Sequence, residues 1–293
     1  VDDPAPIGYC PRMPTSDEVL LQQKAQWSAA ASGWERWDDW LQDTMRDLTD
    51  WLCRAAKLGA GQQVLDVACG SGHPAATAAA LVQPGGRVTA VDLSPDMVAI
   101  TQRKARRLGL DNLDAREMNA QALAFPDGSF DGATSRFGLM LCPDPVRAMS
   151  EVRRVLRPGG RFALAVWDIP AKNPFFTSMA AIVSQFVPMP PPDPTSPGVF
   201  RLAPPGELER VLRAAGFSDV VVESRPMKMW YESREAYWQI QTDLAAPLKG
   251  ALTALAPAEV ARLKSTLFDA LGPFIEGQGV RIGATALCAA AAK

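Results

Sequence analysis

Apolar positions change rhythm twice along the chain. Between residues 17 and 57 they recur every three or four residues. Trp34, Trp37, Leu41, Met45, Leu48 and Leu52 fall on one stripe, which predicts helices with one buried face. Ser32-Gly33 is the expected break between two of them. From residue 58 to 167 short apolar runs alternate with amphipathic stretches. Strands are expected at 64–67, 87–92, 113–118, 130–134 and 161–167, and helices at 95–108 and 144–156. This order implies a parallel sheet with helices on both faces, an α/β fold of the doubly wound kind. After residue 170 the rhythm breaks. Phe175, Phe176, Met179, Ile182, Val183 and Phe186 mark an apolar helix, and a proline-dense stretch at 188–197 follows. A helix at 205–215 closed by Gly216, a sixth strand at 220–223, helices at 233–246 and 257–271 and a last strand at 280–290 complete the expectation.

Ligands of such sheets bind at the carboxyl ends of the strands. That rule gathers Asp66, Gly70, Asp92, Asn119, Ser135, Arg136 and Asp168 along one rim. The first strand runs into Gly70-Ser71-Gly72, a turn too tight for ordinary side chains, and then into His73-Pro74 and a run of small residues. Strand, glycine turn and helix together present backbone N–H groups to a ligand. The second strand ends in Asp92, placed to accept hydrogen bonds from both hydroxyls of a ribose. The segment from Gly70 to Ala75 also fits the loose dinucleotide fingerprint G-x-G-x-x-A. Asp66, four residues before Gly70, separates the two readings. A carboxylate there suits the ammonium of the methionine part of S-adenosylmethionine (SAM) and repels a pyrophosphate.

Composition narrows the field. The 293 residues carry a net charge of −2, so no basic surface for nucleic acid is expected. Five cysteines without a C-x-x-C pair, and a single histidine, argue for reduced thiols, a cytoplasmic setting and no metal site. No apolar run reaches the ~18 residues of a membrane span, and the first residues lack a signal-peptide pattern.

The motifs VLDVACGSG at 64–72, VDLSPDM at 91–97, FPDGSFD at 125–131 and LRPGG at 156–160, taken as an ordered set, resemble the class I SAM-dependent methyltransferases. The likeness covers residues 58–225 and is nearest to the branch that includes ubiquinone and menaquinone C-methyltransferases. It implies a Rossmann-like, doubly wound sheet of seven strands, the last antiparallel and inserted beside the sixth. Residues 1–57 then form a helical cap. Residues 58–293 form the SAM-binding domain, with a lid insertion at 170–203 and a helical insertion at 226–279. The resemblance places Gly70 and Gly72 against the methionine part of SAM with Asp66 nearby, Asp92 on the ribose, and Leu93 and Met97 beside the adenine. Asn119-Ala120 stands where the family often has Asp-Ala, and the Asn119 amide oxygen can still accept from the adenine amino group. Ser135 joins the cofactor rim. Ala68 replaces the first family glycine, a change expected to be harmless at a negative φ.

Methyl transfer from a sulfonium needs the nucleophile held in line and water excluded. Arg136 is the candidate to steady an anionic oxygen of the substrate. His73 is the one side chain with an unperturbed pKa near neutrality, and a cofactor-contact role weighs against a catalytic one. Phe175, Phe176, Met179, Phe186, Trp34 and Trp37 are the expected apolar walls. The expected function is methyl transfer to a small, partly apolar molecule, at a quinol-like ring carbon or at oxygen, nitrogen or sulfur, with S-adenosylhomocysteine as product. The alternatives are a nicotinamide-dependent oxidoreductase and a non-catalytic SAM-binding regulator.

Overall fold

A computed structural model describes residues 15–187 and 196–293. Residues 1–14 and most of the proline-dense stretch lie outside the described residues. Two helices, α1 (Ser16–Arg36) and α2 (Asp38–Ala55), precede the alternating core. The core runs β1 (Gln63–Val67), α3 (Ala75–Leu81), β2 (Arg87–Asp92), α4 (Pro95–Leu108), β3 (Leu113–Glu117), β4 (Phe130–Arg136), α5 (Pro145–Val155) and β5 (Leu156–Trp167). Then come α6 (Pro174–Val183), α7 (Glu207–Ala214), β6 (Ser218–Tyr231), α8 (Arg234–Leu244), α9 (Ala246–Thr253) and α10 (Pro257–Ala270). The two-residue β7 (Ile275–Glu276) and the long β8 (Gly279–Ala292) close the order.

Seven strands follow the spatial order β3-β2-β1-β4-β5-β8-β6, and β7 adds an eighth as a small hairpin on β8. Strands β1 to β5 pair in parallel, and β8 runs antiparallel between β5 and β6. This is the Rossmann-like arrangement with an antiparallel last strand. The order reverses between β1 and β4, so the carboxyl ends of those two strands flank the crevice where such sheets bind ligands.

Three local expectations differ from the structure. The helix α1 continues through Ser32-Gly33, and the chain breaks at Trp37 instead. Gly33 stays helical because its missing side chain admits another backbone. A Cβ there would lie 2.3 Å from the Asp243 carbonyl oxygen at the end of α8. Trp37 then turns its indole to donate to the Asp243 carboxylate at 2.8 Å. The sixth strand is far longer than 220–223, because β8 pairs with it from Ser218 to Tyr231. Arg225, Pro226 and Lys228 disguise it, yet such residues suit an edge strand. Residues 226–231 therefore belong to the sheet and not to a helical insertion.

The third difference is at the glycine turn. Ala68 has φ +56°, in the left-handed region. Gly138, after β4, packs so closely that a Cβ on it would meet the Ala68 Cβ at 2.2 Å. The substitution of alanine for glycine at 68 therefore carries backbone strain. Ala68→Gly is expected to raise stability by about 0.5–1 kcal/mol, the strain relieved less the entropy that glycine loses on folding. Thermal denaturation should show this as a Tm higher by about 1–4 °C.

Candidate functional site

The site begins with a carboxylate that holds the turn together. Asp66 is completely buried at the end of β1. One of its oxygens accepts from the Thr134 hydroxyl on β4 at 2.7 Å, and the other from the Ala75 N–H at the start of α3 at 3.1 Å. Burial pushes its pKa up to about 7, against the pull of the Thr134 hydrogen bond and the Arg136 charge. Both oxygens are engaged inside the fold, so Asp66 fixes the loop that borders the crevice.

Asp92, at the end of β2, closes the other side. Its oxygens accept from the N–H of Gly70 and of Ser94, each at 2.9 Å, and burial raises its pKa. Gly70 and Gly72 both have positive φ, at +54° and +97°. Ser94 caps α4 through the Met97 N–H. Leu93 and Ala120 are part-exposed at the crevice, whereas Met97 is completely buried. Met97 packs with Ala31, Ile100, Trp27 and Trp34 beneath α1. The Asn119 amide oxygen accepts from the Gln121 N–H at 2.9 Å, leaving one lone pair for a ligand.

Two polar atoms at this rim lack the partners that burial demands, and a guanidinium lies beside them. Ser135 Oγ and His73 Nδ1 are buried without a hydrogen bond. Arg136 donates to Thr49 Oγ1 on α2 at 2.8 Å and has no carboxylate within ion-pair reach among the described residues. Burial lowers its pKa to about 10, partly offset by the Asp66 and Asp38 charges. His73 places Nε2 4.0 Å from Asp38, and burial lowers its pKa to about 2. Burial and the neighbouring cations thus keep the imidazole neutral at neutral pH.

Sequence reasoning missed the helix face that serves these groups. Asp38 starts α2 and accepts from Lys104 at 2.6 Å and Arg107 at 3.4 Å, both on α4. Lys104 is 3% exposed, and burial lowers its pKa to about 8. Asp38 sits on the helical stripe with Leu41, Met45 and Thr49, where a buried acid was the available signal.

Helix α1 crosses the rim. Gln23 donates to the Leu141 carbonyl at 2.6 Å, Lys24 pairs with Glu117 at the end of β3, and Ser28 meets Ser94 at 3.0 Å. Beyond β4 and β5 lies an aromatic wall. Phe137, at φ +60°, stacks on Trp167 with ring centres 3.8 Å apart and planes 7° apart. Trp167 in turn meets Phe176 at 5.0 Å and Phe175 at 6.0 Å. Phe175 and Phe176 thus join an aromatic cluster whose other members, Phe137 and Trp167, went unnoticed. Trp34 and Trp37 instead bind the end of α8, donating to the Leu244 carbonyl and to Asp243. Asp168 turns from the rim to Ser224 and Lys172. Among the described residues no group of histidine, cysteine, aspartate and glutamate could hold a metal ion, and no helix is long and apolar enough to cross a membrane.

Comparison with known proteins agrees with this geometry. Residues 65–164 match a family described as a methyltransferase domain. An uncharacterised protein of Mycobacterium tuberculosis is 38% identical over 147 residues, 50% of this chain and 51% of that protein. A demethylmenaquinone methyltransferase of Listeria monocytogenes is 38% identical over 124 residues, 42% of this chain and 49% of that protein. The chain thus spans about half the length of the curated relatives it matches. Among solved structures, the YcgJ protein of Bacillus subtilis superposes with a TM-score of 0.56 at 21% identity, covering 85% of this chain and 98% of that one. The [4+2]-cyclase SpnF superposes with a TM-score of 0.55 at 24% identity, covering 95% and 97%. At such identities these two likenesses show the fold alone. The family match, the motif order and the fold coincide on the same residues: the chain contains a class I SAM-dependent methyltransferase domain.

Proposed function

We propose that the protein transfers a methyl group from SAM to a small, partly apolar molecule. The observation that carries the reading is the pair of buried, unpartnered polar atoms (Ser135 Oγ and His73 Nδ1), with the half-buried Arg136 guanidinium beside them, around a glycine turn at the switch point of the sheet. A ligand with both charged and apolar parts satisfies such a set. In this reading the Gly70–Gly72 backbone receives the methionine part, with Ser135 and His73 beside it. Asp92 holds the ribose, Leu93 and Ala120 flank the adenine, and Asn119 meets its amino group. Bound there, SAM supplies an electrophilic methyl. The chain's own contribution is to hold the acceptor in line and to exclude water, which α1 and the Phe137–Trp167 wall are placed to do.

Arg136 is better placed for the cofactor than for the substrate. It is tied to Thr49 of α2, and the charges that act on it are those of Asp66 and Asp38, on the glycine-turn side. It supports the cofactor's carboxylate in this reading, and the substrate-oxygen role expected for it gives way. The acceptor is a flat or apolar molecule. A quinol-like ring carbon is the option favoured by the aromatic wall and by the Listeria relative's name, with oxygen, nitrogen and sulfur nucleophiles as the others.

Calorimetry should show SAM and S-adenosylhomocysteine binding and no binding of NAD. Asp92→Ala should weaken SAM by about 1.5–3 kcal/mol, the scale for hydrogen bonds to a charged group. Tight NAD binding with none for SAM would end the reading. Methyl-labelled SAM incubated with fractionated extract should yield a labelled small molecule. Cofactor binding without label transfer to any fraction would favour the regulator.

Arg136→Lys should weaken S-adenosylhomocysteine by about tenfold or more, because a point charge does not replace the planar fork. Unchanged cofactor affinity with reduced kcat would return Arg136 to the substrate.

His73 gives a pH signature. Its folded pKa is depressed, so its contribution to stability is present above the unfolded value near 6.5 and is lost as pH falls toward about 2. His73→Asn should therefore lose about 2 kcal/mol less than the parent protein when urea unfolding is compared at pH 7.5 and pH 5.

A further inference from the structure

An arginine that takes a carboxylate in two parallel bonds must turn one edge of its fork toward it, and something has to choose the edge. Arg136 ends β4, where its backbone is paired with Ala165 of β5. The main chain is therefore fixed, while the long side chain has rotamers to choose from. The guanidinium is half-buried, and among the described residues it makes one hydrogen bond, from Nη1 to Thr49 Oγ1 at 2.8 Å. Thr49 is completely buried on α2. Its own hydroxyl proton goes one turn back along the helix, to the Met45 carbonyl at 3.0 Å. With that proton spent, the oxygen offers Arg136 lone pairs in a fixed direction. The branched Cβ of threonine stiffens the arrangement further. Leu48 and Leu52, on either side of Thr49, pack on Ala163 and Ala165 of β5 and hold this face of α2 against the sheet. Valine has the same shape as threonine, so packing alone does not call for an oxygen here.

The bond that Thr49 takes decides what remains. A guanidinium offers two forked edges, Nη1 with Nη2 and Nε with Nη2. Engagement of Nη1 leaves the Nε–Nη2 edge whole. Elsewhere in this chain that edge takes a carboxylate in two parallel bonds: Arg103 meets Glu35 through Nε at 2.8 Å and Nη2 at 2.7 Å. The acids whose charges act on Arg136 do not occupy its free edge. Asp66 turns its oxygens to Thr134 and Ala75, and Asp38 turns its own to Lys104 and Arg107. We propose that Thr49 is a positioning residue: by holding Nη1 it presents the Nε–Nη2 edge of Arg136 to the carboxylate at the amino-acid end of the cofactor. This rests on the function proposed above and deepens it: a residue of α2, and not of the sheet, sets the preference for an adenosyl ligand that carries a carboxylate.

The test compares S-adenosylhomocysteine with its decarboxylated analogue, S-adenosyl-3-thiopropylamine, by calorimetry. The two differ by the carboxylate alone. The parent protein should bind S-adenosylhomocysteine about tenfold or more tightly than the analogue, the scale of a charge-assisted pair. Thr49→Val should cut that preference about threefold or more, the worth of one hydrogen bond, and leave the affinity for the analogue unchanged. Thr49→Ala, which removes the oxygen without a branched side chain in the helix, should act in the same direction. Thr49→Ser, which keeps the oxygen, should restore the preference. In an Arg136→Lys background Thr49→Val should change nothing further, because Thr49 acts through the fork. A preference that survives in Thr49→Val and Thr49→Ala, an equal loss for both probes, no recovery in Thr49→Ser, or a further loss in the Arg136→Lys background would each overturn the proposal while the cofactor reading stands. Equal affinity for the two probes in the parent protein would overturn it by removing Arg136 from the carboxylate. Failure of the parent protein to bind either probe would overturn it together with the cofactor reading.

Discussion

Everything at the crevice depends on a carboxylate that touches three elements at once. Asp66 sits at the end of β1, accepts from Thr134 on β4 and from Ala75 at the start of α3. It spans the point where the strand order reverses. A neutral side chain could satisfy one donor, but the two oxygens of a carboxylate reach both. The turn they enclose includes the strained Ala68 and two left-handed glycines, conformations that persist only when the surroundings over-determine them. Burial makes the carboxyl a weaker acid, with a pKa near 7. The nearby Arg136 charge opposes that shift, so the guanidinium supports the same clamp that it borders.

The N-terminal helices are part of this unit and not an ornament over it. The single face of α2 provides Asp38 to Lys104 and Thr49 to Arg136. Its first residue thus anchors α4 and its third turn anchors the end of β4. A buried ion pair such as Asp38–Lys104 is weak evidence for net stability, but loss of one partner leaves a stranded charge. That asymmetry fixes the register of α2 against the core. Helix α1 then crosses the ends of β2 and β3 through Ser28 and Lys24, and grips α8 through Trp34. Glycine turn, rim and helical layer are consequently connected by polar contacts as well as by packing.

Much of this was legible because it is local. A strand, a glycine turn and a helix announce themselves within a dozen residues, and Asp92 follows at the expected distance. The antiparallel last strand beside the sixth came from resemblance and is present in the sheet. What the sequence hid is set by neighbours distant in the chain. Gly33 reads as a breaker, yet the backbone of Asp243 needs its missing side chain. The left-handed φ of Ala68 depends on the Gly138 loop closing over it. Phe137 owes its position to Trp167, thirty residues on by sequence and in van der Waals contact in space. The bonds of Asp66 to Thr134 and Ala75 were not legible, because a carboxylate at a strand end can look outward or inward and only the fold decides.

The placement of β8 has a consequence for how the molecule is made. It lies between β5 and β6, so those two strands never touch each other and both wait for a segment that follows them. As the chain emerges from a ribosome, β5 presents an unpaired edge after its parallel partner β4 has docked, and β6 emerges with no neighbour at all. Residues as distant as Arg161 and Ala292 must find each other before the gap is filled. The alanine-rich β8, with Ala284, Ala286, Ala289, Ala290 and Ala291 buried, fills the space between β5 and β6 with small side chains. Until β8 is in place, β5 and β6 each keep an open edge, the feature that exposes a strand to aggregation.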